Sequence, residues 1–432
     1  MNLLNLLDGY MPYESIIKNL GKTPMSIAGV ADSAQSHLIS AISKRIGKNT
    51  LVITYSDMEA RAVTSGLRLY IDIVVMFPSK DYVFYNIETM GRANSNARRV
   101  VLDKITEGGV TVVASVDAGM TFTAEKSRFL SNILKFKSGD ELNLDEVSSR
   151  LVAMGYKREE IIEGAGQFSV RGGILDVFSP NYENPVRIEL WGDEIDAIRF
   201  FDADSQRAIE NVCSVRIIPV TEVLYSEKRR EEIVIELERR LKSAKHKNDE
   251  YANTLRQDIE GFKECSIFPS IDKYISLIYG EIPSLTDYFD KDTLAFVIDP
   301  KRVSERMRTF HWEKGEELVS LKEKGIIGSE KTSFYRSEAE VTEALSSLKL
   351  ISLEMLSHTK NNFTYKHLES IISKTTVSFH GKLEYLYEDL MRWQEDGYTV
   401  VVLANTSGRA ENLNGVFYER GISARISDGE FE

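Results

Sequence analysis

"SIAGVADSAQSHLISAI", Ser26 to Ile42, decides how the first hundred residues are read. It has the outline of a phosphate-binding loop running from a strand into a helix. A working loop follows G-x-x-x-x-G-K-[ST]: glycines let backbone N–H groups wrap the phosphates, lysine offsets the β/γ charge, and the hydroxyl holds magnesium. Gly29 stands at the first glycine and Ser36 at the final hydroxyl, but Ala34 replaces the second glycine and Gln35 the lysine. Gln35 is neutral and cannot balance a triphosphate. A Cβ at position 34 obstructs the left-handed backbone that such loops use. The preceding "MSIAG" suits a strand and "QSHLISAI" a helix. By itself, a tract of small residues between the two also reads as an ordinary βα connection.

Outward from this loop, "TLVITYS" (50–56), "IDIVVMF" (71–77) and "GVTVVASV" (109–116) are β-branched apolar runs, separated by helical stretches such as "SDMEARAVTSGLRLY". Short apolar strands alternating with helices predict an α/β domain with a parallel sheet covered on both faces. "DTLAFVID" (292–299) reads as a further strand of that sheet and has the form of a Walker B strand ending in Asp299. A motor of this class places a glutamate next, to orient the attacking water. Here Pro300 follows. Each motif keeps its structural half and lacks its catalytic half, which predicts a nucleotide-hydrolase scaffold without the chemistry.

Near Phe122 the pattern changes. "GQFSVRGGILDVFS" (166–179), "PVRIELWGD" (185–193) and "EIDAIRFFD" (194–202) are short strands of period two, with "WGDE" as a tight turn. In "QFSVR", Phe168 and Val170 face one way while Gln167, Ser169 and Arg171 face the other. This predicts an antiparallel β-rich domain inserted into the first. The expected division is 1–122 and 209–357 for the two parts of the sheet domain and its connector, with 123–208 for the insertion. A small α/β domain over 358–432 completes it, built from the helix "KLEYLYEDLMRWQEDG", the strand "YTVVVLA" and the helix "SGRAENLNGVFYERG". Leu383, Leu386, Leu390 and Trp393 share one face of its first helix. The stop at "ISDGEFE" reads as the end of a piece of something longer.

The 432 residues suit three or four units at roughly 150 each. A balance of 54 basic against 66 acidic residues, net −12, argues against gripping DNA unaided and favours a protein partner. The insertion is itself net −5. No run approaches the ~20 apolar residues of a membrane span, and "MNLLNLL" lacks the basic flank of a signal peptide. Cys213 and Cys265 read as two reduced thiols of a cytoplasmic protein, and six scattered histidines show no zinc spacing. Arg409, near a helix start, reads as a solvated charge or an anion contact.

"GQFSVRGGILDVFSP", "RIELWGDEIDAIRFFD" and "IPSLTDYFDKDTLAFVID" resemble stretches of UvrB, the damage-binding helicase of nucleotide excision repair. With both ATPase motifs decayed, the arrangement is similar to the amino-terminal region of the bacterial transcription-repair coupling factor family. That resemblance implies a UvrB-mimicking adaptor that recruits UvrA, the UvrB partner in the excinuclease, to stalled transcription complexes. It also implies no catalytic residues, metal or cofactor of its own. RNA polymerase, DNA, ATP and magnesium would belong to carboxy-terminal parts, which could also mask the UvrA-binding face intramolecularly. Carried over residue by residue, Arg171 matches the second arginine that "GxFxVRG" presents to UvrA, and Ser169 stands at the first. Lys157 and Arg158 in "GYKREE" match a neighbouring basic position, and Phe168 and Phe178 are further candidates. The phenylalanines also read as strand core and Arg171 as a solvated strand charge. UvrB threads DNA beneath an aromatic hairpin, whereas "DYVFYNIETMGRANSNARR" (81–99) leaves scant room for one despite Tyr82 and Tyr85. The competing reading is a residual nucleotide-dependent DNA-binding or helicase module.

Overall fold

The computed structural model describes residues 3–84, 92–244, 249–264, 268–328, 333–356, 360–375, 379, 383–404 and 406–427. Strands β1 (Met25–Ala28), β2 (Thr50–Thr54), β3 (Val74–Phe77) and β4 (Thr111–Ser115) alternate with the helices Asp32–Ile46, Asp57–Leu67 and Arg92–Glu107. The chain then leaves for β5 (Leu134–Lys137), β6 (Lys157–Arg158), β7 (Gln167–Arg171), β8 (Ile174–Val177), β9 (Val186–Trp191), β10 (Glu194–Phe201), β11 (Ala208–Val212) and β12 (Ser214–Ile217). It returns through the helices Glu227–Ala244 and Asp249–Lys263 to β13 (Leu294–Ile298), β14 (Lys349–Glu354) and β15 (His367–Ser370).

The first sheet is parallel throughout, in the order β15-β1-β14-β13-β2-β4-β3. β2, β4 and β13 are buried at every position, as continuous apolar runs require when helices cover both faces. Alternation divides their side chains between two cores. Leu51, Ile53, Val112, Ala295 and Val297 go to one, and Val52, Val113, Phe296 and Ile298 to the other. "DTLAFVID" rejoins the sheet as expected, between β14 and β2. β15 adds to the outer side of β1, so this sheet draws its edge strand from within the section expected to open the terminal unit.

The second sheet runs β11-β10-β9-β8-β7-β6, antiparallel except where β6 lies parallel to β7. Its core face packs Phe168, Leu175, Val177, Val186, Ile188 and Ile198 with Val147 and Leu151 of the helix Leu144–Ala153. Asn143 caps that helix, accepting from the Asp145 and Glu146 N–H groups at 3.0 Å.

Two arginines tie this unit to the first. Arg216 on β12 donates to Asp103 at 2.7 Å and to Thr106 at 3.0 Å, both on the helix Arg92–Glu107. From the same helix, Arg98 grips Glu222 at 2.8 and 2.9 Å and donates to the Pro78 and Phe122 carbonyls. Both members of that second pair are buried. The cost of burying two charges is offset because each hydrogen-bonding edge of the guanidinium finds an oxygen.

The helices Leu383–Glu395 and Ser407–Glu419 meet through Tyr387, Leu390, Phe417 and Ile422. Leu386 and Trp393 pack against that cluster as expected, whereas Leu383 faces solvent. The expected strand "YTVVVLA" is a correction. Residues 398–404 form no ladder among the described residues, where no neighbouring strand offers them a backbone edge. Among the described residues no helix is long and apolar enough to cross a membrane.

Candidate protein-binding face

The second sheet has one packed face and one open face, and the open face carries an ordered set of charges. Asp176 on β8 stands in register with Ser169 on β7 and Arg187 on β9. Its carboxylate is 1% exposed and is shared by two guanidinium groups. Arg171 donates to Oδ2 at 2.8 Å, while Arg187 donates to Oδ1 at 2.7 Å and to Oδ2 at 2.9 Å. Arg187 also donates to Gln206 and lies 4.3 Å over the Phe201 ring. The hydrogen bond to Asp176 raises its already high pKa. Arg199 on β10 is directly across from Arg187, a like-charge juxtaposition that Asp176 and Glu189 offset from either side.

Arg171 is 48% exposed although anchored at its tip. Trp191 ends β9 on the parity of Arg187 and Glu189 and is 84% exposed. Arginines held by a buried carboxylate lose little freedom on meeting a partner, and their forks still offer edges to further carboxylates. An exposed indole on the same face supplies large apolar area. Together they are what an interface hot spot needs.

The residues singled out from the sequence separate into two groups. Arg171, Lys157 and Arg158 present charge to solvent, the last two on β6 at the sheet edge beside β7. Phe168 and Ser169 do not. Phe168 is wholly buried, which is its core reading. Ser169, on the open parity, is only 2% exposed because the 159–163 segment crosses it and its hydroxyl donates to the Glu160 carbonyl at 2.9 Å. Phe178 is half-buried and follows β8. Arg187, Trp191 and Arg199 were missed. In "VRIELW" the alternation of apolar 186, 188 and 190 with Arg187, Glu189 and Trp191 was the signal that could have found the first two, and in "EIDAIRFF" Arg199 stands between apolar Ile198 and Phe200.

The phosphate-loop region is altered in more ways than its residue types suggested. The helix begins at Asp32, so Ala34 is already helical and the loop is reduced to Gly29, Val30 and Ala31. This corrects the expectation of a left-handed conformation obstructed at 34. Gly29 has φ +81, and Ile371 crosses so closely that a Cβ at Gly29 would lie 2.0 Å from its carbonyl oxygen. The Ile371 N–H donates to the Ala28 carbonyl at 2.9 Å. The Ser373 hydroxyl donates to the Gly29 carbonyl and accepts from the Ala31 N–H, both at 2.7 Å. Gln35 is buried and donates to Asp32, which sits in the helix's first turn. Ser36 lies against Gly66, where a Cβ would meet its hydroxyl at 2.5 Å. Ser26 donates at 2.6 Å to Glu354, also buried.

The other strand ends are likewise acidic and internally satisfied. Asp57 accepts from Ser79 at 2.6 Å, and Asp117 holds Arg306 at 2.8 and 2.6 Å while burial pushes its pKa up. Asp299, at φ +51, accepts from the Arg302 N–H at 3.2 Å and caps the helix Pro300–Glu323, with Pro300 at its first position. β14 separates β13 from β1, so Asp299 and Gly29 end strands two places apart. Among the described residues no cluster of three or more His, Cys, Asp or Glu could hold a metal.

Tyr82 is buried, donates to the Phe334 carbonyl and accepts from the Phe122 N–H at 3.1 Å; burial raises its pKa far up. It is a core residue, closed off from stacking on bases. Tyr85 and Cys265 lie outside the described residues, and Cys213 is exposed. Arg409 is exposed at the start of its helix.

Residues 134–223 match the family model described as the UvrB interaction domain. The match starts with β5 and runs past β12, so it covers all the inserted strands. Over 430 residues the chain is 28% identical to a transcription-repair-coupling factor of Bacillus subtilis (strain 168), covering 97% of this chain and 36% of that protein. It is 24% identical over 425 residues to one of Staphylococcus epidermidis, covering 95% of this chain and 35% of that protein. The chain therefore spans about a third of the length of the curated relatives it matches. The resemblance read from the sequence is borne out by both comparisons.

Proposed function

We propose that the chain is an adaptor in transcription-coupled nucleotide excision repair, in which the inserted unit imitates UvrB and binds UvrA. The observation that carries this reading is the Arg171–Asp176–Arg187 cluster, pre-ordered on the open face of a unit whose residues match the UvrB interaction domain. Arg199 and Trp191 extend the same face, and Lys157 and Arg158 flank it. The net charge of −5 over residues 123–208 disfavours nucleic acid as the ligand, so the arginines are matched to acidic groups on a protein.

On this reading the sheet domain hydrolyses no nucleotide. A triphosphate would need a cation at position 35 and free N–H donors at the loop. It would meet Gln35, the Asp32 carboxylate and the Ser373 hydroxyl instead. On the same reading, contacts with polymerase and DNA, the use of ATP and magnesium, and any masking of the UvrA-binding face would belong to segments outside this chain, which spans about a third of its relatives' length. The name borne by those relatives supports the pathway assignment.

Titration of purified UvrA with the chain tests the proposal. Arg171→Glu should weaken binding at least about tenfold, since a charge-assisted bond becomes a repulsion. Equal affinity for the charge-reversed chain would remove this face from the interface. A measurable ATP turnover by the purified chain would restore the rival reading of a residual nucleotide-dependent module.

A further inference from the structure

The region around Gly29 holds something a merely decayed nucleotide site would not need. A phosphate loop works by aiming backbone N–H groups at oxygen acceptors. Here the acceptor is supplied from within the chain: Ser373 Oγ accepts from the Ala31 N–H and donates its own proton to the Gly29 carbonyl. The bond between Ser373 and Ala31 joins residues 342 apart in sequence.

The contact is built from several sides. Ile371 is buried in the apolar cluster containing Met25, Ile27 and Val30. Its N–H extends the β15–β1 pairing by one bond, to Ala28. On the outer side, the Ile372 N–H donates to Tyr10 at 3.3 Å. Just ahead of this segment, on β15, Glu369 accepts from Ser15 at 2.6 Å. Gly29 is the residue the contact requires, because any Cβ there would collide with the Ile371 backbone.

We infer that the altered phosphate loop has become an intramolecular receptor whose ligand is the chain's own segment 371–373. The loop backbone latches that segment to the carboxyl end of the first sheet. It thereby sets the point from which the chain departs toward the helical pair beginning at Leu383. The chemistry is consistent on both sides of the contact. A neutral hydroxyl satisfies the loop's donor and acceptor at once, and it is not repelled by Asp32 at the helix start or by Glu354 beneath the loop. A phosphate bearing two or more charges would be. The absence of a lysine at position 35 and the presence of these acids thus favour the segment over the anion. This inference is independent of the adaptor reading.

Hydrogen exchange resolved to single amides on the full chain tests it, together with tryptic cleavage after Lys374. Ser373→Ala should speed exchange at Ala31 and Ile371 by roughly tenfold, the worth of one to two neutral hydrogen bonds. It should also hasten cleavage, and Ser373→Thr, which keeps the hydroxyl, should restore protection. Gly29→Ala should release the same segment while strand β13 stays protected. Millimolar ATP with magnesium should leave Ala31 exchange unchanged in the wild-type chain. Wild-type exchange and cleavage in Ser373→Ala would overturn the latch. So would protection of Ala31 by added ATP, since the loop would then still serve a phosphate.

Discussion

Arg98 and Glu222, 124 positions apart, form a bidentate ion pair at 2.8 and 2.9 Å beneath the junction of the sheet domain and the insertion. Glu222 is fully desolvated. Burial alone would raise its pKa, yet the charges of Arg98 and Lys80 hold it below the ordinary carboxylate value. The pair lies where the chain comes back from the inserted strands, so it bears on how the open face is carried.

Removing one partner should therefore be far worse than removing both. Arg98→Met is expected to lose about 3–5 kcal/mol, because Glu222 is left as an uncompensated buried charge. Arg98→Met with Glu222→Leu should recover a large part of that. Urea unfolding of the three chains checks it, and equal losses for the single and double variants would contradict the pairing account.

Asp176 and Arg171 should separate stability from binding. Arg171 is half exposed, so Arg171→Ala should change stability by no more than about 1 kcal/mol while weakening UvrA binding. Asp176→Asn weakens the common anchor of Arg171 and Arg187, which stay partly solvated, and should lose about 1.5–3 kcal/mol. Paired denaturation and affinity measurements on the two variants decide between an anchor and a bystander.

Trp191 makes the simplest test of the apolar half of the face. Being 84% exposed, it contributes little to folding, and Trp191→Ala should shift stability by under about 0.5 kcal/mol. As an interface anchor it should contribute about 2 kcal/mol or more to UvrA binding, seen as a roughly thirtyfold weaker Kd. Unchanged affinity would confine the interface to the arginines.

Putting back the missing lysine should not restore the nucleotide site. Gln35→Lys returns the cation but leaves Ser373 in the loop, Asp32 at the helix start and Glu354 beneath it. Thermal melts with millimolar ATP and magnesium should show no stabilisation, whereas ligand at a hundred times its Kd would add about 2.7 kcal/mol.

Glu369 predicts how the latch responds to acid. Burial would raise its pKa, but hydrogen bonds from Ser15 and His367 overcome this and leave it below the ordinary glutamate value. A depressed carboxyl pKa means the stabilisation is fully present above the unfolded value of about 4.3 and is lost as pH falls through the folded one. Exchange at Ile371 should therefore quicken relative to β13 below about pH 4, and Glu369→Gln should flatten that dependence.

The parallel sheet, the inserted meander and the loss of both catalytic halves are legible in the residue order. Strands buried on both faces must be continuous apolar runs, and strands with one open face must alternate, so each declares itself locally. Gln35 and Pro300 are equally plain, because a missing charge is missing in any fold. It took the folded chain to show that Ser169 lies under the Glu160 segment, that Asp176 binds two arginines from two strands, and that Ser373 fills the loop at Gly29. Those contacts are made by single polar atoms that impose no periodicity, and the last of them joins residues 344 apart in sequence. Only the packing of the sheets brings their partners within hydrogen-bond reach.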